Sequence, residues 1–170
     1  MTADYTKTAI GEVRDYLWKE IQETGILNKN DYIADGFSKP LIPIIPSQQI
    51  PEFNNLISGK PYIIYDFNVN TYDSDFWMCE ETLQLSLVAT SFSKIIELTN
   101  FLTDVFRRMD LTAKDINTSH DISSKFKFHY FYIQNIQSPD PVDEEGGNYM
   151  GYVDITYKYS RLIDQNGRFL

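Results

Sequence analysis

Apolar and polar positions recur along this chain with two different periods, and each change of period marks an element. Between residues 3 and 24, Ile10, Val13, Leu17 and Ile21 return at spacings of three and four, which predicts one apolar face of an amphipathic helix. Glu12, Asp15, Lys19, Glu20 and Glu23 fall mostly elsewhere, Trp18 sits off the stripe at the core edge, and Gly25 suits a left-handed stop. From Ile26 to Lys60 the period is lost. Pro40, Pro43, Pro46 and Pro51 punctuate PLIPIIPSQQIP, a pattern that argues against both a helix and a central strand. Leu41, Ile42, Ile44 and Ile45 are too apolar for a solvated linker, so residues 38–53 read as an extended arm or edge strand. Such an arm packs either on its own domain or on a neighbouring subunit.

A period of two then takes over. In 61–72, Ile63, Tyr65, Phe67 and Val69 alternate with Tyr62, Ile64, Asp66, Asn68 and Asn70, predicting a strand. TYDSD supplies turn chemistry through Asp and Ser side chains. A long strand over 75–90 places Trp77, Cys79, Leu83, Leu85 and Leu87 opposite Met78, Glu80, Thr82, Gln84 and Ser86. One oily and one wet face predict a sheet with helices on one side only. Glu81 falls on the oily face, where it marks a place for the strand to leave the core. Ser91 or Ser93 can cap a second helix, whose stripe is Ile95, Leu98, Leu102, Val105, Phe106 and Met109. Residues 110–125 read as polar and turn-rich. The next strand, 126–136, sets Phe126, Phe128, Tyr130 and Tyr132 against Lys127, His129, Phe131 and Ile133, so that both faces are covered. An acidic loop, SPDPVDEEGGN at 138–148, leads to a last strand over 149–161 and a short tail.

Composition sharpens this picture modestly. At 170 residues one domain over 1–170 is the economical reading, and 12 Tyr and 11 Phe favour a strand-rich fold. No apolar run reaches membrane-spanning length, and the opening MTADYTKTAIGEV is polar, predicting neither an anchor nor a signal peptide. The single cysteine, Cys79, excludes an internal disulfide and fits a reducing compartment such as a cytoplasm. Net charge is −9, with Asp66, Asp73, Asp75, Glu80 and Glu81 and no Lys or Arg in 61–90. That balance excludes a broad basic face for phosphate backbones. It serves solubility, or a surface that repels nucleic acid standing near it.

Candidate chemistry is sparse. His120 and His129 are nine residues apart and neither adjoins Cys79, so no metal site is expected, and an inert buried thiol is expected at Cys79. Asp73-Ser74-Asp75 lacks the glycine and distal glutamate of a calcium loop. Asp143, Glu144 and Glu145 read as a solvated loop or one that meets a basic neighbour. No phosphate loop or nucleophile elbow occurs, and no cofactor is implied. A small hydrolase using Asp73 or His129 is the third reading, behind two non-enzymatic ones.

The order of elements carries a resemblance. PYIIYDFNV, TYDSDFWMCEETLQLSLVA, SKIIELTNFLTDVFRRM and YMGYVDITYKYSR, taken as strand, turn with long strand, packing helix and closing strand, resemble the tail terminator proteins of tailed bacteriophages. The resemblance covers about two thirds of the chain and is one of pattern and order. It implies a single α+β domain, with an antiparallel sheet of about four main strands and helices packed on one face. It implies a virion protein made in the host cytoplasm, assembling as a hexameric ring. That ring caps the tail tube, ends its polymerisation and meets head, neck or sheath proteins, while DNA passes through the lumen. On this reading Asp73, Asp75, Glu80, Glu81, Asp140, Asp143, Glu144 and Glu145 are candidates for lumen or rim surfaces. Leu41, Ile42, Ile44 and Ile45 are candidates for a subunit-contact arm. The alternatives are another neck or tail-completion component, or a non-viral binding module of similar fold.

Overall fold

The fold is known from a computed structural model, which describes residues 8–34, 38–72, 78–119, 126–141 and 147–161. Helix α1 spans Ala9–Thr24; Thr8 accepts the Gly11 amide at its start, and Gly25, at φ 69°, returns its N–H to the Ile21 carbonyl. The arm follows, with a short strand β1 (Ile44–Pro46) and a helix α2 (Ile50–Ile57). Strands β2 (Tyr62–Tyr72) and β3 (Met78–Ala89) precede helices α3 (Phe92–Phe106) and α4 (Asp110–Ser119). Strands β4 (Phe126–Pro141) and β5 (Tyr149–Arg161) complete the described chain.

The sheet order is β1-β2-β3-β5-β4. This corrects the expected antiparallel sheet of about four main strands: among the described residues five strands pair, and β1 runs parallel to β2 through Ile44↔Ile63, Ile45↔Ile64 and Pro46↔Tyr65. The reason lies in the prolines. Pro43 keeps its carbonyl free to accept the Ile63 amide at 2.9 Å, while the missing N–H of Pro46 is tolerated on an edge strand. The arm also holds α2, because a proline in the first helical turn removes a donor that has no intrahelical partner there. Helix α4 replaces the turn-rich reading over 110–119, while 120–125 lie outside the described residues; its buried positions are Thr112, Ala113 and Ile116, a stripe too polar to stand out.

The main core lies between α1, α3 and α4 and one sheet face, while Ile45 of β1, Ile57 of α2 and Val88 of β3 are buried outside it. It joins Val13, Leu17 and Ile21 of α1, Leu98, Leu102 and Phe106 of α3, and Ile116 of α4 to Leu83, Leu85 and Leu87 of β3 and Val153, Ile155 and Tyr157 of β5. Each such side chain contributes about 1.5–3 kcal/mol by leaving water. Met109, expected on the α3 stripe, instead stands outside it and is 55% exposed.

Strand β4 departs from simple alternation. Its pairing with β5 shifts register between Phe128 and Tyr130, Ile133 and Asn135, and Gln137 and Asp140. Each extra residue turns the following side chains over. Phe126, Phe128 and Phe131 therefore all enter the core, and the expected grouping of Tyr130 and Tyr132 with Phe128 fails. Phe131 stacks on Tyr157 with centroids 5.3 Å apart, and Phe126 meets Tyr159 edge-on at 5.3 Å. Residues 138–141, expected in the acidic loop, belong to β4.

Candidate functional site

The expected assembly residues scatter. Asp73, Asp75, Asp143, Glu144 and Glu145 lie outside the described residues. Glu80 is half-buried on the sheet face opposite the main core, opposite Lys158 in register, and accepts the Tyr130 hydroxyl at 2.9 Å. Asp140 is exposed near the end of β4. Glu81 is no rim residue: it is 6% exposed on the core face. In the arm, Ile44 and Ile45 are buried within their own chain and Leu41 and Ile42 are half-buried, so intramolecular packing takes most of the apolar surface set aside for a neighbour.

Glu81 forms the centre of a buried polar cluster. β3 and β5 pair Glu81 with Tyr157 and Cys79 with Tyr159, which puts both phenols on the carboxyl group. Tyr157 donates to Oε2 at 2.5 Å and Tyr159 to Oε1 at 2.6 Å. Burial, and then Glu81 itself, push both phenols well above their ordinary range. Burial likewise raises the Cys79 thiol, which makes it a poor nucleophile. A carboxyl group fully used by two phenols, with an unreactive thiol beside it, fixes strand register and offers nothing to a substrate.

The face of the sheet opposite the main core carries polar ladders across β3, β5 and β4. Thr82 meets Thr156 at 3.2 Å, and Thr156 donates to Gln134 at 3.1 Å; Gln84 donates to Asp154 at 3.1 Å. Near one end His129 Nε2 lies 3.0 Å from Ser160 Oγ. Desolvation lowers the His129 pKa, helped by Lys127 and Lys158, so the ring is neutral at pH 7. A neutral imidazole beside a serine is half of a nucleophilic dyad. Ser160, however, is 6% exposed, and among the described residues no carboxylate bonds to the His129 ring. Among the described residues no group of three or more His, Cys, Asp or Glu could hold a metal ion, and no helix is long and apolar enough to cross a membrane.

The sheet edges are the remaining candidate. β1 covers β2 only from Ile63 to Tyr65, so β2 continues past it to Tyr72 with no strand on that side among the described residues. β4 forms the other edge. At its start α4 intervenes: the Asn117 amide donates to the Phe128 carbonyl at 2.8 Å, and its oxygen accepts the Phe128 N–H at 2.9 Å. One side chain thus replaces a neighbouring strand at that residue. It also shows that the backbone groups of Phe128 point outward. Phe128, Phe131, Ile133 and Ile136 face Tyr159, Tyr157, Ile155 and Val153, alternate residues of β5, so the outward orientation recurs at Phe131, Ile133 and Ile136. Among the described residues no side chain or backbone group bonds to that outer edge over 131–136.

Beside this open stretch runs a groove of about 460 Å³, lined by Arg107, Met109 and residues 132–136. Met109 is 55% exposed and Ile136 41% exposed. Met109 also has φ 52°, a left-handed conformation that costs a residue with a Cβ on the order of 1 kcal/mol. Arg107 is exposed, and its guanidinium has no ion pair among the described residues. Sequence reasoning missed this groove because Met109 was assigned to the core stripe and the bulges of β4 left no mark in the composition. Neither a protein-family model nor a curated protein matches the chain.

Proposed function

We propose that this protein is a structural virion component that assembles as a ring on the end of a phage tail tube, ends tube growth and joins the tail to the head or neck. The observation that carries this reading is that β2 beyond Tyr65 and the outer side of β4 meet no further strand among the described residues. β2 runs antiparallel to β3, β3 to β5 and β5 to β4, so β2 and β4 run in opposite directions. The free edge of one copy can therefore pair antiparallel with the opposite edge of the next, a head-to-tail contact that closes into a ring when the rotation is right. The element order that resembles tail terminators supplies the rest: partners in the tube and neck, and DNA passing through the lumen. The polar sheet face and Glu80, together with Asp73 and Asp75, are the surfaces that would keep passing DNA from adhering. Glu81, being buried, is removed from that set.

Light scattering after size exclusion, with and without purified tail tubes, and negative-stain images of the tubes test the reading. The expected result is a ring at one tube end and no further growth when more tube subunit is added. Tubes that stay uncapped and keep growing in excess protein would refute it. In capped particles, Asp73→Asn, Asp75→Asn and Glu80→Gln together should slow DNA passage while leaving rings intact. Unchanged infectivity would count against an acidic lumen.

A further inference from the structure

We infer that Lys127, His129, Lys158 and Ser160, at one end of the polar sheet face, form a binding site for a single phosphate group, free or at the end of a nucleic-acid strand. The inference does not rest on the ring reading, which gives this face only a general polar character.

The strands build the cluster. β4 and β5 pair Lys127 with Ser160 and Tyr130 with Lys158, and His129 is the extra residue between those two pairs. Phe128 and Phe131 enter the core, so the bulge sets Lys127, His129 and Tyr130 together on the opposite face. His129 Nε2 lies 3.0 Å from the Oγ of the buried Ser160, which holds the half-buried ring in place. Lys158 is half-buried beside it. Lys127 is exposed and has no ion pair among the described residues.

This is a local reversal of charge in a chain whose net charge is −9. The groups that act on the His129 ring are Lys127 on its own strand and Lys158 and Ser160 on β5. Beyond Lys158 stands Glu80 of β3, which takes the Tyr130 hydroxyl, and α4 meets this stretch through the uncharged Asn117. Glu80 offsets one lysine at most. Burial, and then the two lysines, hold the ring below its usual pKa. Like charges kept side by side are a cost that an arriving anion removes. With the anion in place the imidazole takes up a proton and its second N–H becomes a further donor.

The donor types select phosphate over carboxylate. A planar carboxylate is matched by the fork of an arginine, whereas ammonium groups act as point charges that suit the several oxygens of a phosphate. Glu80 and Asp154 on the same face repel a run of phosphates laid along it. The site therefore admits one terminal or free phosphate and no continuous backbone.

The test follows the imidazole of His129 in the whole protein by NMR from about pH 5 to 8, with His120 as the reference. Inorganic phosphate, against chloride at equal ionic strength, is expected to raise the His129 midpoint by about one pH unit. A hexanucleotide without a terminal phosphate is expected to leave it unmoved. The same strand with a 5′-phosphate identifies the source: a shift at lower concentration than inorganic phosphate requires assigns the site to a strand end, and a shift only at higher concentration assigns it to the free ion. Lys127→Gln should raise the phosphate concentration needed about tenfold. A midpoint that phosphate does not move, an equal shift with the unphosphorylated strand, or a phosphate response undiminished in Lys127→Gln would overturn the inference. An equal shift in acetate would make the site one for carboxylates and overturn the phosphate assignment.

Discussion

Replacing Glu81 with leucine should destabilise the protein by more than removing the whole polar cluster around it. The carboxyl group is 6% exposed and accepts from Tyr157 and Tyr159 at 2.5 and 2.6 Å, and the two phenols are 0% and 2% exposed. In Glu81→Leu both hydroxyls lose their acceptor in a place water does not reach. An orphaned buried hydroxyl costs about 1–3 kcal/mol, so two cost about 2–6 kcal/mol, of which burial of the leucine returns about 1.5–3 kcal/mol. The single variant should therefore lose on the order of 1–3 kcal/mol. In the triple variant Glu81→Leu, Tyr157→Phe, Tyr159→Phe the unmet groups are gone, and the net change should be small. Urea unfolding followed through Trp18, which is buried on α1, reads both. The expected order is wild type close to the triple variant, with Glu81→Leu well below. A triple variant less stable than Glu81→Leu would refute the argument, because the cluster would then stabilise through something other than mutual satisfaction of its polar atoms.

Alkaline pH should unfold the protein steeply. Burial raises the folded-state pKa of Tyr16, Tyr32, Tyr157 and Tyr159 from the ordinary 10.0, so above that value the unfolded chain holds fewer protons than the native one. Stability is then complete below pH 10 and falls above it by about 1.4 kcal/mol per pH unit for each such tyrosine; absorbance at 295 nm should show their ionisation coinciding with unfolding. Early, reversible ionisation of all tyrosines in native protein would contradict this. Asn117→Leu should cost about 1–3 kcal/mol and accelerate exchange of the Phe128 amide, since both edge groups of that residue lose their partner; an unchanged Phe128 exchange rate would mean the edge is closed by something else. Met109→Gly should raise stability by up to about 1 kcal/mol by relieving the left-handed conformation, and lower stability in that variant would show that Met109 packs better than its 55% exposure implies.

What was legible in the sequence follows from which forces act locally. The period-two runs of β3 and β5 and the stripes of α1 and α3 are set by burial of one face, and among the described residues those that carry them, Met109 apart, are found in the core. The parallel pairing of β1 was not legible, because a three-residue strand that follows Pro43 and ends on Pro46 has no period and its partner lies nineteen residues on. Nor was α4, whose helical face rests on Thr112, Ala113 and Ile116, with the Thr112 hydroxyl satisfied by the Val105 carbonyl at 2.6 Å. Glu81 could be placed on the apolar face by counting. Its two acceptor bonds depend on β5 lying beside β3, a pairing across more than seventy residues.

The same distinction accounts for the candidate site. An edge strand is defined by what does not pair with it, and absence of a partner leaves no periodic trace. The alternation of β4 predicts aromatics on both faces, whereas the bulge at 129 returns Phe131 to the core beside Phe126 and Phe128. The bulges have a structural consequence. Extra residues at 129 and 134 keep Phe131 and Ile133 facing inward while Tyr130 and Tyr132 turn to the side opposite the main core, so the edge backbone is presented between an apolar groove and a polar face. A strand added at that edge would meet different chemistry on its two sides.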